Sequence, residues 1–151
     1  LVGVELIKEF EGCNLRAYPD PITKAAPITI GWGSTRRRDG TGFMRGTIIT
    51  QSEADDLLMF DIQSRFFPAL QKIPYWEEMN DNQRGALLSF AYNLGANFYG
   101  SSGYDTITRV LKNKEWDKVP DAMCLYINPG SSVEEGLLRR RKTEGELWSK
   151  T

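Results

Sequence analysis

Glycine and proline divide this sequence into two textures. Between residues 13 and 49 the chain is broken by Pro19, Pro21, Pro27, Gly31, Gly33, Gly40, Gly42 and Gly46, with short β-prone runs such as Ile28-Thr29-Ile30 and Thr47-Ile48-Ile49 between them. Proline lacks the N–H that a helix interior needs, and glycine accepts turn conformations that other residues avoid. The stretch therefore predicts a small antiparallel sheet with generous turns. Elsewhere the spacing is helical. Val2, Leu6, Ile7 and Phe10 recur at helical intervals ahead of Gly12, which is placed to stop a first helix.

After residue 49 the helical signals are continuous. Thr50 with Glu53 reads as a capping box, and Ala54, Leu57, Leu58, Ile62 and Phe66 form the face that follows, which Pro68 is expected to end or kink. Asn80 with Gln83 repeats the start signal, and the stripe Ala86, Leu87, Phe90, Ala91 and Leu94 stops at Gly95. Ser102 with Asp105 is expected to open a shorter helix bearing Ile107, Val110 and Leu111. Trp116, Val119, Met123 and Ile127 predict another, with Pro120 in its first turn or at a bend. Ser132 with Glu135 is expected to begin the last, with Leu137, Leu138, Arg141 and Trp148 along one side. The fold class is α+β: a small N-terminal antiparallel sheet lobe packed against a mostly helical C-terminal lobe, with a cleft between them. The 151 residues suit one domain, 1–151, with a real core.

Composition narrows the chemistry. The chain has no histidine, which excludes Ser-His-Asp and Cys-His catalysis and imidazole metal sites. Cys13 and Cys124 are too few for a thiolate zinc site and read as two buried free thiols rather than a disulfide. No metal and no cofactor is expected, and catalysis falls to carboxylates. A net charge of −1 provides no field for nucleic acid, and the basic clusters Arg36–Arg38 and Arg139–Lys142 are not interleaved with aromatics. The first cluster reads as an exposed hairpin tip beside Asp39-Gly40, the second as structural support on a helix. No apolar run is long enough for a membrane span, and the opening LVGVELI is too short and too soon charged for a signal peptide.

Two carboxylates stand out. Glu11 lies at the end of the first predicted helix, between Phe10 and Gly12, where the lobes are expected to meet. A carboxyl group partly desolvated by apolar neighbours keeps its proton closer to neutrality, as a general acid must. Asp20, between Pro19 and Pro21, sits on stiff, extended backbone. A proton-bearing Glu and a fixed second carboxylate form the pair that glycoside hydrolysis uses, although each residue alone reads equally as a surface or turn group. Trp32 has either a sugar face or the core as its partner. Asn93 and Asn97 offer hydrogen bonds to an N-acetyl group or cap a helix end.

The segment from Leu6 to Asp20, with Glu11 and Asp20 separated by eight residues, resembles the opening of the phage-type lysozymes, the bacteriophage endolysin family. Thr29-Ile30-Gly31-Trp32-Gly33 is similar to that family's Thr-Ile-Gly-Tyr-Gly strand. Ser89–Gly95 resembles its central helix, and Gly136–Glu144 its C-terminal Gly-Leu-x-Arg-Arg-Arg segment. The resemblance covers essentially the whole chain. It implies a muramidase that cleaves the β-1,4 bond between N-acetylmuramic acid and N-acetylglucosamine in peptidoglycan. Glu11 would be the general acid, and Asp20 and Thr29 would hold the attacking water. Tyr18, Gly31 and Gly33 would line the cleft, with Trp32 and Asn97 as further substrate contacts. It implies a monomer made in the host cytoplasm and acting on the cell wall. An inactive wall-binding module and a lytic transglycosylase are the alternatives.

Two departures from the family pattern matter. Eight residues, Pro21 to Ile28, separate Asp20 from Thr29, a longer gap than the pattern has, and Thr23 within it is a further candidate. The strand continues as Gly33-Ser34-Thr35, where many members have Gly-His-Thr, so any supporting role of that histidine must be met otherwise.

Overall fold

A computed structural model describes residues 1–18 and 28–151. Along the chain run α1 (Val4–Glu11), β1 (Asn14–Tyr18), β2 (Thr29–Gly31), α2 (Gln51–Asp61), α3 (Phe67–Leu70), α4 (Asp81–Leu94), α5 (Asp105–Lys112), α6 (Val119–Met123) and α7 (Glu134–Trp148). The expected class holds: a small antiparallel sheet near the N-terminus, then a helical remainder. The chain divides into two compact units, one of residues 7–65 and one of residues 1–6 with 66–151.

In the unit of residues 7–65, β1 and β2 pair antiparallel, with Asn14 opposite Gly31 and Tyr18 opposite Thr29. Five residues face three, so β1 carries a bulge. The predicted run 47–49 does not become a strand of its own. It adds an isolated bridge, Arg16 to Ile48, flanked by backbone bonds from Ala17 to Thr47 (2.7 Å) and from Ile49 to Leu15 (2.9 Å). Arg36 pairs with Gly42, and the exposed turn between them confirms the Arg36–Arg38 segment as a hairpin tip. Ala17, Ile30, Phe43, Ile49 and Ala54 form a core cluster in this unit.

The start of α2 follows the sequence rule: the Thr50 hydroxyl accepts from the Glu53 amide at 3.1 Å, and the Glu53 carboxylate accepts from the Thr50 amide at 3.2 Å. Pro68 does not end the helical path. It stands in the first turn of α3, and the preceding residues Ile62–Phe66 form a π-helical turn. A proline has no N–H for the carbonyl one turn earlier and clashes with it, and a widened turn ahead of the ring relieves both problems.

The larger unit is built on α4. Its cap is the predicted box of Asn80 and Gln83, and residues 85–91 are all buried, so the helix is covered on every side. Gly95 stops it as expected, at φ 128°. Two other expected starts fail. α5 follows Tyr104 and α7 follows Val133, neither with a side-chain cap, so Ser102 and Ser132 do not serve as N-caps. The helix expected over Trp116–Ile127 is a 3-10 turn, Trp116–Lys118, followed by the short α6 with Pro120 in its first turn. Of the three tryptophans expected in the core, Trp76 and Trp148 are buried, while Trp116 is half-buried with its ring edge-on to that of Trp148 at 5.9 Å. Both cysteines are free, but Cys13 is exposed and Cys124 only half-buried, which corrects the expectation of two buried thiols. Among the described residues no helix is long and apolar enough to cross a membrane.

Candidate active site

Glu11 is the last residue of α1 and is half-buried. Gly12 ends the helix at φ 70°, its amide still bonded to the Lys8 carbonyl at 3.4 Å, and turns the chain into β1. β2 brings Thr29, also half-buried, into register with Tyr18. Asp20 and Thr23 lie outside the described residues. Thr29, Tyr18 and Gly31 thus share one two-stranded ladder, and Asn97 belongs to the other unit, exposed beyond the end of α4.

Gly31 ends β2, and Trp32 and Gly33 form a tight turn rather than a continuation of the strand. The Ser34 amide donates to the Ile30 carbonyl and the Ile30 amide to the Ser34 carbonyl, each at 2.9 Å. Closing so short a loop puts both glycines at positive φ, 64° and 114°. A Cβ on Gly31 would also stand 3.2 Å from that of Ala54, so glycine is what lets β2 approach α2 this closely. Trp32 is carried at the tip of the turn.

Its indole is held from two sides. The Nε1–H donates to Asp55 Oδ1 at 2.8 Å, and Lys8 Nζ stands 5.2 Å over the ring. Lys8 also pairs with Asp55 at 3.5 Å, and the Gln51 amide donates to the same carboxylate at 3.1 Å. These donors, Trp32 first, then Gln51 and Lys8, hold the Asp55 carboxyl below the usual aspartate range. Trp32 is therefore fixed in orientation, with a cation over one ring face. It also packs, partly buried, against the core cluster of Ala17, Ile30, Phe43, Ile49 and Ala54.

Ser34, where the family pattern has histidine, is buried, and its hydroxyl donates to Asp61 Oδ2 at 2.8 Å. This hydroxyl ties the turn to the end of α2. Burial raises the Asp61 carboxyl above the usual range, while the Ser34 hydroxyl and Arg65 pull it the other way.

A second polar group lies within the helical unit. Glu144 of α7 is buried, accepts from the Ser89 hydroxyl at 2.6 Å, and faces Arg140 at 3.4 Å and Arg141 at 3.1 Å. Arg140 donates to the Ser89 carbonyl at 3.0 Å, and Arg141 to Asn93 Oδ1 at 2.6 Å while lying 4.9 Å from the Phe90 ring centre. The basic run Arg139–Lys142 is thus structural through its two central residues, with Arg139 and Lys142 exposed. Asn93 accepts from Arg141 through its Oδ1. Its place on a helix marked the basic run as structural, whereas no local sequence signal marks the Lys8–Trp32–Asp55 and Ser34–Asp61 contacts.

The phage lysozyme family model matches residues 8–144 of this chain. The chain is 36% identical over 153 aligned residues to an endolysin of Lactococcus phage c2, an alignment that takes in 98% of this chain and 58% of that protein. It thus spans little more than half the length of that relative. It is 32% identical to the endolysin of Salmonella phage P22, over 93% of this chain and 90% of the relative. Among solved structures, the muramidase domain of SpmX from Asticaccaulis excentricus superposes with a TM-score of 0.75 at 29% identity, covering 99% of this chain and 95% of that one.

Proposed function

The chain belongs to the phage lysozyme family, and on that premise we propose that it is a glycoside hydrolase of bacterial peptidoglycan. Its target is the β-1,4 bond between N-acetylmuramic acid and N-acetylglucosamine. The observation that carries this reading is the family match over residues 8–144, which includes Glu11 and the Thr29–Gly33 segment. Residues 1–151 act as one catalytic domain.

Glu11, half-buried at a helix end, is the general acid and protonates the departing glycosidic oxygen. Thr29, held by the ladder opposite Tyr18, offers its hydroxyl to the attacking water, and Asp20 takes that water's proton. The sugar's anomeric carbon loses one C–O bond and gains another from the opposite face, giving inversion, which needs the acid and the water-directing group about 6.5–9.5 Å apart. Tyr18, Gly31, Trp32, Gly33 and Asn97 contact the glycan. The enzyme works as a monomer, is made in the host cytoplasm and acts on the wall.

The test is clearing of purified sacculi by the chain and by Glu11→Gln, with products read by mass spectrometry. The parent should clear them and leave reducing muramyl ends. Glu11→Gln should keep the fold and lose activity by about 10²–10⁴-fold or more. Near-normal clearing by the variant would remove Glu11 from its role. Anhydromuramyl ends would replace hydrolysis by transglycosylation, and binding without clearing would leave a wall-binding module.

A further inference from the structure

Charge is segregated within the unit of residues 7–65. Between Gly12 and Ser52 the sequence has six Lys or Arg and two Asp or Glu, although the whole chain is net −1. The unit's other carboxylates sit on helices, Glu9 and Glu11 on α1 and Glu53, Asp55, Asp56 and Asp61 on α2. Among the described residues between Gly12 and Ser52 the single carboxylate is Asp39, engaged by the Thr41 amide and hydroxyl at 2.9 and 2.6 Å.

The sheet has two faces. Ala17 and Ile49 are buried with Ala54 of α2. Their neighbours Arg16 and Ile48 pair across the bridge and, by the alternation of a strand, point away from α2 and its carboxylates. Ile48 is 70% exposed. Beside it a turn closed by the Thr47 amide on the Met44 carbonyl (3.1 Å) carries Met44, 79% exposed, and Arg45. An Arg16 Nη2 lies 3.9 Å from where a Cβ on Gly46 would be, and Arg36 pairs with Gly42, two residues before Met44. Arg37 and Arg38 are directed elsewhere, onto the rings of Phe43 and Phe60. The result is an exposed face on which Met44 and Ile48 are framed by Arg16 and Arg36.

We infer that this face docks on an anionic lipid bilayer surface. Guanidinium groups alone would suit any polyanion. The two large apolar side chains beside them need an apolar receiver, and the boundary between headgroups and acyl chains provides one next to negative charge. Each arginine near such a surface strengthens binding by about fivefold, and the attraction weakens with salt.

Co-sedimentation of the purified chain with large vesicles tests this, using phosphatidylglycerol mixed with phosphatidylcholine against phosphatidylcholine alone. Binding is expected to the mixed vesicles only, falling as salt rises through ~0.1 M. Met44→Ser/Ile48→Ser and Arg16→Gln/Arg36→Gln should each weaken it by about tenfold or more. All four positions are exposed, and unchanged far-ultraviolet circular dichroism will show that the variants fold. Failure to sediment with mixed vesicles overturns the inference. So does full binding by Met44→Ser/Ile48→Ser, which would assign the face to a polyanion held by charge alone. The readout needs no catalysis, so it stands or falls apart from the muramidase reading.

Discussion

Glu144→Ala offers the sharpest test of what holds the helical unit together. The carboxylate is fully buried between two buried guanidinium groups, and it takes the Ser89 hydroxyl at 2.6 Å. Its removal leaves Arg141 with Asn93 and the Phe90 ring but no carboxylate of its own. Stranding a buried charge in this way costs about 3–5 kcal/mol. That is a large share of the ~5–15 kcal/mol by which a domain of this kind is stable. At about 2–4 °C per kcal/mol for a chain of this size, the melting temperature should fall by roughly 6–20 °C. Ser89→Ala alone removes one donor from the same carboxylate and should cost about 1–3 kcal/mol. Because both changes act on one carboxylate, the double variant should be little worse than Glu144→Ala. Thermal unfolding of the four proteins, followed by circular dichroism and calorimetry, completes the cycle. A loss under ~1 kcal/mol for Glu144→Ala, or strict additivity with Ser89→Ala, would show that the charges are compensated elsewhere and refute the reasoning.

Other perturbations probe single contacts. Gly85→Ala places a Cβ 2.6–2.8 Å from Val2, including its backbone, and should cost about 1–3 kcal/mol; a melting temperature equal to the parent's would mean that the N-terminal segment yields freely. Thr50→Ala removes one half of the capping box on α2 and should cost about 1 kcal/mol, with Thr50→Ser restoring most of it in the same melts. For Asp61 the sign follows from burial. Its raised carboxyl lets the folded state keep a proton that the unfolded chain has released, so this stability is present at acid pH and is lost as pH rises through the folded value. Asp61→Asn keeps an acceptor for Ser34, and it should melt higher than the parent at neutral pH and show a flatter profile down into the acid range. A lower melting temperature at neutral pH would reverse the argument.

What the sequence made legible was local. The Thr50 and Asn80 caps, the glycine stops at Gly12 and Gly95 and the hairpin tip at Arg36–Arg38 each depend on residues within a few positions of one another. At α7 the same kind of signal misled by one residue: Ser131, not Ser132, makes the turn before the helix, donating its hydroxyl to the Asn128 carbonyl at 2.7 Å. The candidate site divides in the same way. Glu11 and Thr29 could be picked out by motif, but the partners that fix Trp32 and Ser34 lie 23 and 27 residues away. Asn93 finds its partner 48 residues on, in Arg141. No periodicity reports such pairs, because each is made only when two elements meet.

The contacts between α4 and α7 have one more consequence. Ser89 meets Glu144 and Arg140, and one helical turn further along α4 Asn93 meets Arg141, so the two helices are joined by two polar rungs. Apolar side chains alone would tolerate slippage, since one leucine packs much like the next. A shift of one turn, about 5.4 Å, would break both rungs together and leave buried charge opposite hydrocarbon. The network acts as a key that admits a single alignment of the two helices, and its worth lies in the misaligned states it forbids as much as in the native one it holds.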